Sequence, residues 1–434
     1  MIVILWTDAL VWLLVAIIAG TAWYVRSQPH LILAWRRVLQ SGSGVSALLV
    51  LVAFIVVGLA DSIHYRPVLP VKAGQAAAYS AEVLSLLDTA AQPLRARVER
   101  TYSAPFATRA YQRETLERPG PDGKPEQVRE YPRLAFGGVH LKNEGERGRD
   151  ILARALPAAV LALILWWGIA GLVAVRHGEK HGQSTGEAWR AIWRGETEIP
   201  WHAALVTLAV MMVLVALVLA LGTHYHVLGT DKVGRDVLYL SLKSIRTGLV
   251  IGTLTTLVLL PLAVSLGIMA GYFRGWIDDV IQYLYTTLNS IPGVLLIAAS
   301  VLLMQVYIDQ HPELFPTAAQ RADLRLLFLC VILGLTSWTG LARLLRGEAL
   351  KLRELEYVQA AQAFGVKSGR ILSRHIVPNV MHIILISLVM DFSGLVLAEA
   401  VLSYVGIGVD PNTISFGTMI NTARMELARE PMVW

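Results

Sequence analysis

Long apolar runs separated by charged connections dominate the chain. A sliding apolar window places membrane-length runs at about 3–25, 44–60, 151–175, 203–222, 247–270, 279–306, 324–342 and 380–401. A helix needs roughly 20 residues to cross the hydrocarbon layer, so the run at 44–60 is short. The run at 279–306 is interrupted at Ser290-Ile291-Pro292-Gly293. A Pro-Gly break at membrane depth needs partners for the backbone groups it frees, so it is expected inside a bundle and away from lipid. The first run is too long for a leader's apolar core and has no basic start or small-residue cleavage site, so it is expected to be a retained helix. Asp8 within it is expected at the outer end, in reach of water. The pattern predicts an all-α polytopic transmembrane helical bundle.

Composition agrees. Of 434 residues, 55% are hydrophobic and 16% charged, against about 25% charged in soluble domains. The formal charge of +6 reads as basic loops facing anionic lipid rather than as a nucleic-acid surface. Arg26, Arg36 and Arg37 follow the first run. Arg176, Lys180, Arg190 and Arg194 follow the third. Arg343, Arg346, Lys351, Arg353, Lys367, Arg370 and Arg374 follow the seventh. Alternation puts all three loops on one side, which the positive-inside rule makes cytoplasmic. The N-terminus and the polar stretch 61–150 are then external. The organisation expected is a membrane hairpin over 1–60, an external insert over 61–150, a third helix and cytoplasmic linker over 151–202, and a helical core over 203–434. Within the insert, 80–100 is expected to be helical and Pro119 to Pro125 a loop; the remainder suits a small α/β subdomain or partial disorder.

The chemistry-bearing residues are few. Cys330 is the lone cysteine, so there is no intrachain disulfide or cysteine metal site. No G-x-x-x-x-G-K-[ST] phosphate cradle, H-E-x-x-H or G-x-S-x-G occurs. No metal site is expected; His224 and His226 read as loop residues. Asp391 lies mid-span and is a functional candidate by default, either facing a translocation path or bonded across the bundle to Ser or Thr. Glu399 is a second path candidate, or it orders the loop that follows. Arg246 and Asp236 are expected to tie a loop to the membrane surface. Trp166, Trp167, Trp193, Trp201 and Trp276 suit interfacial anchoring or core packing. A faint echo joins His140–Leu152 to His226–Leu238, 86 positions apart; it is either chance or a partial duplication.

Between the last two runs lies a polar, helix-prone loop. Residues 352–364 carry Leu352, Leu355, Val358 and Ala361 along one side. Gly365 stands where a helix C-terminal glycine is expected, Ser368 is the expected cap of a second short helix, and Pro378 ends it. Small Ala360, Ala361 and Ala363 leave room for a partner surface. An amphipathic loop lying on lipid is the alternative. The full string, Glu356-Tyr357-Val358-Gln359-Ala360-Ala361 through Gly365, Arg370-Ile371 and Arg374-His375 to Pro378-Asn379, resembles the EAA loop of permease subunits of bacterial ATP-binding cassette importers, in the dipeptide/oligopeptide/nickel class. Three further strings are similar to the C-type permease of that class: His226 to Leu238, carrying Gly229, Thr230, Asp231, Gly234, Arg235 and Asp236; Ala270 to Asp278; and Glu399 to Gly408.

The resemblance covers roughly 203–434. It implies a type I, MetI-like permease core, and peptides as the solute. It implies a homologous B-type permease, two cytoplasmic ATPase subunits that bind ATP and Mg, and a periplasmic binding protein as partners. This chain would hold no cofactor and hydrolyse nothing. Glu356, Ala360, Ala361, Gly365, Arg370 and Arg374 would form the ATPase-coupling knob, and the strand of residues Gly229–Asp236 an external signature loop. Residues 1–200 have no counterpart in the resemblance. The family core usually has one more membrane helix beyond Trp434, and Arg429 to Trp434 reads as its entry. A secondary carrier, or a membrane-anchored enzyme or sensor using 61–150, are the competing readings.

Overall fold

The computed structural model describes residues 1–27, 32, 36–69, 79–80, 82–119, 125–311, 313, 315, 317–410 and 413–427. Residues 120–124 of the expected insert loop and the terminal stretch from Arg429 lie outside the described residues. Among those described, eight helical stretches are long and apolar enough to cross a membrane: Trp6–Arg26, Gly42–Asp61, Glu144–His181, Trp201–Gly222, Val237–Phe273, Gly293–Gln310, Ala318–Arg353 and Ser368–Val405. The chain is therefore a multi-pass membrane protein of the all-α polytopic class.

In chain order the helices are α1 (Trp6–Arg26), α2 (Gly42–Asp61), α3 (Leu86–Ala90), α4 (Gln92–Arg95), α5 (Arg147–His181), α6 (Thr185–Arg194), α7 (Trp201–Gly222), α8 (Val237–Phe273), α9 (Gly275–Ser290), α10 (Gly293–Gln310), α11 (Ala318–Ser337), α12 (Thr339–Arg353), α13 (Glu356–Ala363), α14 (Ser368–Ile371), α15 (Val377–Val405) and α16 (Phe416–Leu427). The described residues fall into two compact units. One takes those of 1–13, 66–83 and 244–425, the other those of 14–65, 84–243 and 426–427. The units interleave the linear segments: residues 84–150 of the insert share a unit with the loop that begins at His226.

In the first unit, glycines of α8 admit two neighbouring helices. A Cβ on Gly252 would collide with the Phe392 ring of α15. A Cβ on Gly267 would stand 2.6 Å from the Ala342 carbonyl oxygen, and one on Gly271 2.5 Å from that of Arg346 and 2.7 Å from Ala349 Cβ. Gly267-x-x-x-Gly271 thus brings α8 and α12 to backbone contact, as small residues do where lipid removes any hydrophobic drive for helices to associate. The pairing seats Leu341, Leu345 and Leu352 in one core with Tyr272, Val358, Ile371 and Ile376.

Several expectations change in this unit. The single run 279–306 is two helices, α9 and α10. Pro292 has no N–H, and its carbonyl instead accepts from Leu295 and Leu296 to start α10. The break is not packed inside this chain: residues 290–295 are exposed, because their backbone is satisfied by the new helix. Asp8 does not reach water. It is 2% exposed and pairs with Arg246 at 2.5 Å. Arg246 also donates to Thr7 at 3.0 Å, and Thr7 donates its backbone N–H to Asp323. Arg246 is thus a core partner of α1 rather than a surface tether.

In the second unit, Ser41 caps α2 by accepting from the Gly44 N–H, and α2 meets α7 through a Thr207–Ser46 hydrogen bond of 2.8 Å. Trp166 donates to the Leu205 carbonyl, and Trp166, Trp167, Trp189 and Trp193 stack in one group. The insert is not one helix over 80–100. A Ser85–Asp88 capping box starts α3, and Pro93 restarts the chain as α4. A short ladder pairs β1 (His64–Tyr65) with β2 (Leu84–Ser85), and β3 (Glu114–Pro119) pairs antiparallel with β4 (Pro125–Glu130). The Lys243 ammonium contacts Asp61 at 3.1 Å and Asp88 at 2.5 Å, and Tyr239 donates to Asp88. These bonds fasten the end of α2 and the start of α3 to α8.

Replacing Gly271 by Leu should destabilise the subunit by about 1–3 kcal/mol through overpacking. Thermal unfolding in detergent reads this against Gly340→Leu, whose site is open. Equal midpoints for the two variants would contradict the close approach.

Candidate functional site

Three groups of candidate residues occupy separate places. The polar loop follows directly from α12. Arg346 grips Asp278 with two parallel bonds of 2.6 and 2.7 Å, and Arg353 donates to the Tyr272 carbonyl at 2.7 Å. α13 begins at Glu356 rather than 352, after Leu355 turns extended. Its end is closed as the glycine implied: Gly365 has φ +73°, its N–H bonds the Gln362 carbonyl, and the Val366 N–H bonds that of Ala361. Lys367, not Ser368, occupies the cap position of α14, and no side chain caps it. A wide helical turn, Leu372–Ile376, then joins α14 to α15.

The result is a two-helix knob on an apolar footing. Val358, Ile371 and Ile376 are fully buried beneath it. Glu356, Ala360, Gly365, Arg370 and Arg374 are exposed together on its outside. Ala361 is half-buried and packs inward with Val366, so it is not part of the outer face, and Leu355, expected inward, is exposed. Sequence reasoning missed Phe364. It is 87% exposed at the tip, held there by the left-handed turn that follows it. The signal available was a large apolar residue placed immediately before a terminating glycine.

The signature loop is folded into the insert. Gly229 and Gly234 have positive φ, +77° and +82°. A Cβ at Gly234 would run into the Glu99 backbone, and the Glu99 N–H bonds the Gly234 carbonyl. Thr230 is buried, its hydroxyl 2.9 Å from the Thr101 carbonyl and 3.0 Å from the Ser103 hydroxyl. Asp231 accepts from the Val233 and Arg235 N–H groups and pairs with the Arg235 side chain. Asp236 accepts from the Leu238 and Tyr239 N–H groups and so caps α8; it is no membrane tether.

His226 is the buried centre of this region and was undervalued as a loop residue. Its Nδ1 lies 2.7 Å from Asp236 and its Nε2 3.3 Å from Glu99. Glu99 also accepts from the N–H groups of Ala135, Phe136 and Gly137. Burial alone would lower the His226 pKa. Hydrogen bonds from the imidazolium to Asp236 and Glu99 outweigh it and push the pKa up to about 9. Burial likewise opposes the ionised form of Glu99, but His226 and the backbone donors hold its carboxyl below the usual range. The two halves of the sequence echo share a feature: His140 meets Asp150 at 2.7 Å as His226 meets Asp236, ten residues on and at the start of a long helix in each case.

The two mid-span carboxylates differ. Glu399 is buried and accepts from the Ser403 and Ser415 hydroxyls at 2.7 and 2.9 Å. It therefore orders the loop leading to α16, and its path role has no support in its surroundings. Asp391 is half-buried. No group of three or more metal-ligating side chains is present among the described residues.

Comparison with known proteins gives matches over the second half of the chain. Residues 263–433 match the family model described as binding-protein-dependent transport system inner membrane component. The chain is 31% identical over 209 residues to the oligopeptide transport system permease protein OppC of Mycobacterium tuberculosis, covering 48% of this chain and 66% of that one. It is 30% identical over 196 residues to the dipeptide transport system permease protein DppC of Lactococcus lactis (45% and 52%). To the glutathione transport system permease protein GsiD of Pectobacterium atrosepticum it is 31% identical over 208 residues (48% and 63%). The chain thus spans between half and two thirds of the length of these relatives.

The His226 geometry has a pH consequence. Its contribution to stability is full below the unfolded value near 6.5 and is lost as pH rises through about 9. Hydrogen exchange at the amides of Ala135, Phe136 and Gly137, corrected for its intrinsic pH dependence, should lose protection between pH 8 and 10. Glu99→Gln should show reduced protection already at pH 7. Constant protection across this range in both forms would rule out the clamp.

Proposed function

We propose that the chain is a binding-protein-dependent transport system inner membrane component, one of two membrane-spanning subunits of an ATP-driven peptide importer. The observation that carries the mechanism is the knob: exposed Phe364 and Gly365 above the buried Val358, Ile371 and Ile376. A bare aromatic on a rigid apolar footing fits a cleft on a partner. Arg343, Lys351, Lys367, Arg370 and Arg374 around it support a cytoplasmic position, which sets the insert and the N-terminus outside.

In this reading two cytoplasmic ATPases hold the nucleotide and Mg, and the chain contributes no phosphate-binding loop of its own. Closure of the ATPase pair moves the knob. α12 carries the motion inward, because Arg346 and Gly271 couple it to α9 and α8 without slack. The membrane bundle then exchanges outward-open for inward-open states, the direction set by the nucleotide's differential affinity for the two. A second permease completes the passage, and an external binding protein delivers the peptide.

Tagged chain purified from its native membrane should bring down a second permease and two ATPases. Phe364→Asp, Gly365→Leu and Glu356→Lys should each lower peptide uptake at least tenfold, with membrane insertion unchanged. Wild-type uptake in all three, or a tagged chain that transports by itself, would overturn the reading.

A further inference from the structure

Asp391 is the fifteenth of the 29 residues of α15, so either end of that helix is about 21 Å away. A carboxylate facing lipid at this depth is costly even on the most lenient scale. Several other acidic side chains within or beside the spans of the first unit are relieved. Asp8 has Arg246, Asp278 has Arg346, Asp410 has Arg325, Asp323 has Thr7, and Glu399 has two serines. Asp391 has no hydrogen-bond or ion-pair partner among the described residues, although Ser and Thr side chains elsewhere in the unit serve this purpose.

Its direction is fixed. The neighbouring Phe392 ring rests on Gly252 of α8, which locks the rotation of α15. Asp391 then falls in line with Ser387, Gly394 and Ala398, one helical turn apart each. Gly394 meets nothing where a Cβ would stand, so the space beside the carboxylate is open. A carboxyl group held at mid-membrane with room beside it is relieved when water or a cation enters that space.

We propose that Asp391 is a specificity-determining residue, the group that draws positively charged amines of the solute into this chain's half of the passage. The proposal rests on the peptide-importer reading. Peptides carry such amines, and a charge-assisted contact is worth about 1.5–3 kcal/mol, or roughly tenfold and more in selectivity.

The test is competitive uptake of Lys-Ala-Ala and Glu-Ala-Ala by cells carrying the complete transporter. The same binding protein serves wild type and variant, so its own preference cancels when the two uptake ratios are compared. Asp391→Asn should lower the Lys-to-Glu uptake ratio about tenfold, and Asp391→Glu should restore it. A ratio unchanged in Asp391→Asn overturns the proposal; an equal loss of both peptides would do so by assigning the carboxylate to a cation of a partner subunit. If wild-type cells take up neither tripeptide through this transporter, the importer reading itself fails, and the proposal with it.

Discussion

Contact between α8 and its neighbours at backbone distance is the constraint from which the membrane unit is built. Lipid offers apolar side chains no reason to leave it, so helices must gain from van der Waals packing what soluble proteins gain from burial. Gly252, Gly267 and Gly271 give one helix three places where another can press close. α15 uses the first, and α12 uses the other two. Each of these leads into something that matters: α12 runs into the knob, and α15 carries Asp391. A helix with side chains at the three positions would hold both at a distance and leave both free to rotate.

A second constraint is the treatment of charge. Buried ions survive where a partner and further hydrogen bonds relieve them. Arg246 with Asp8, Lys243 with Asp61 and Asp88, and His226 between Asp236 and Glu99 all meet that condition. In each set at least one member comes from the first 100 residues. The N-terminal region that the family resemblance leaves unexplained is therefore ionically integrated with α8 or the loop before it, and it is not a loosely attached extra segment.

How much of this was legible in the sequence depends on the range of the interaction. The spans were readable because hydropathy is local, and so was the turn at Gly365, whose left-handed backbone any side chain would strain. The break at Pro292 was readable for the same reason, though not its exposure, which depends on what surrounds it. Partners were not readable. Asp8 and Arg246 are separated by 238 positions and Glu99 and His226 by 127, and nothing local announces such pairs. Gly267-x-x-x-Gly271 was visible as a pattern, but glycines in an apolar run do not say which helix they will receive. Thr230, Gly234 and Asp236 were marked as a loop facing outward, and the insert covers them. That cover comes from residues with no counterpart in the resemblance, so family reasoning could not supply it.

The junction between Gly234 and Glu99 bears on how this subunit can be recombined. Insert and loop interlock through main chain, so neither is a free-standing module. A chimera that exchanged residues 84–143 alone would leave His226 without one of its two counter-ions and would set a foreign backbone against a glycine shaped for this one. The smallest exchangeable cassette runs from the start of the insert to Lys243, with two membrane helices in between. Divergence of the insert is thereby tied to that of the loop, and substitutions in one should be compensated in the other.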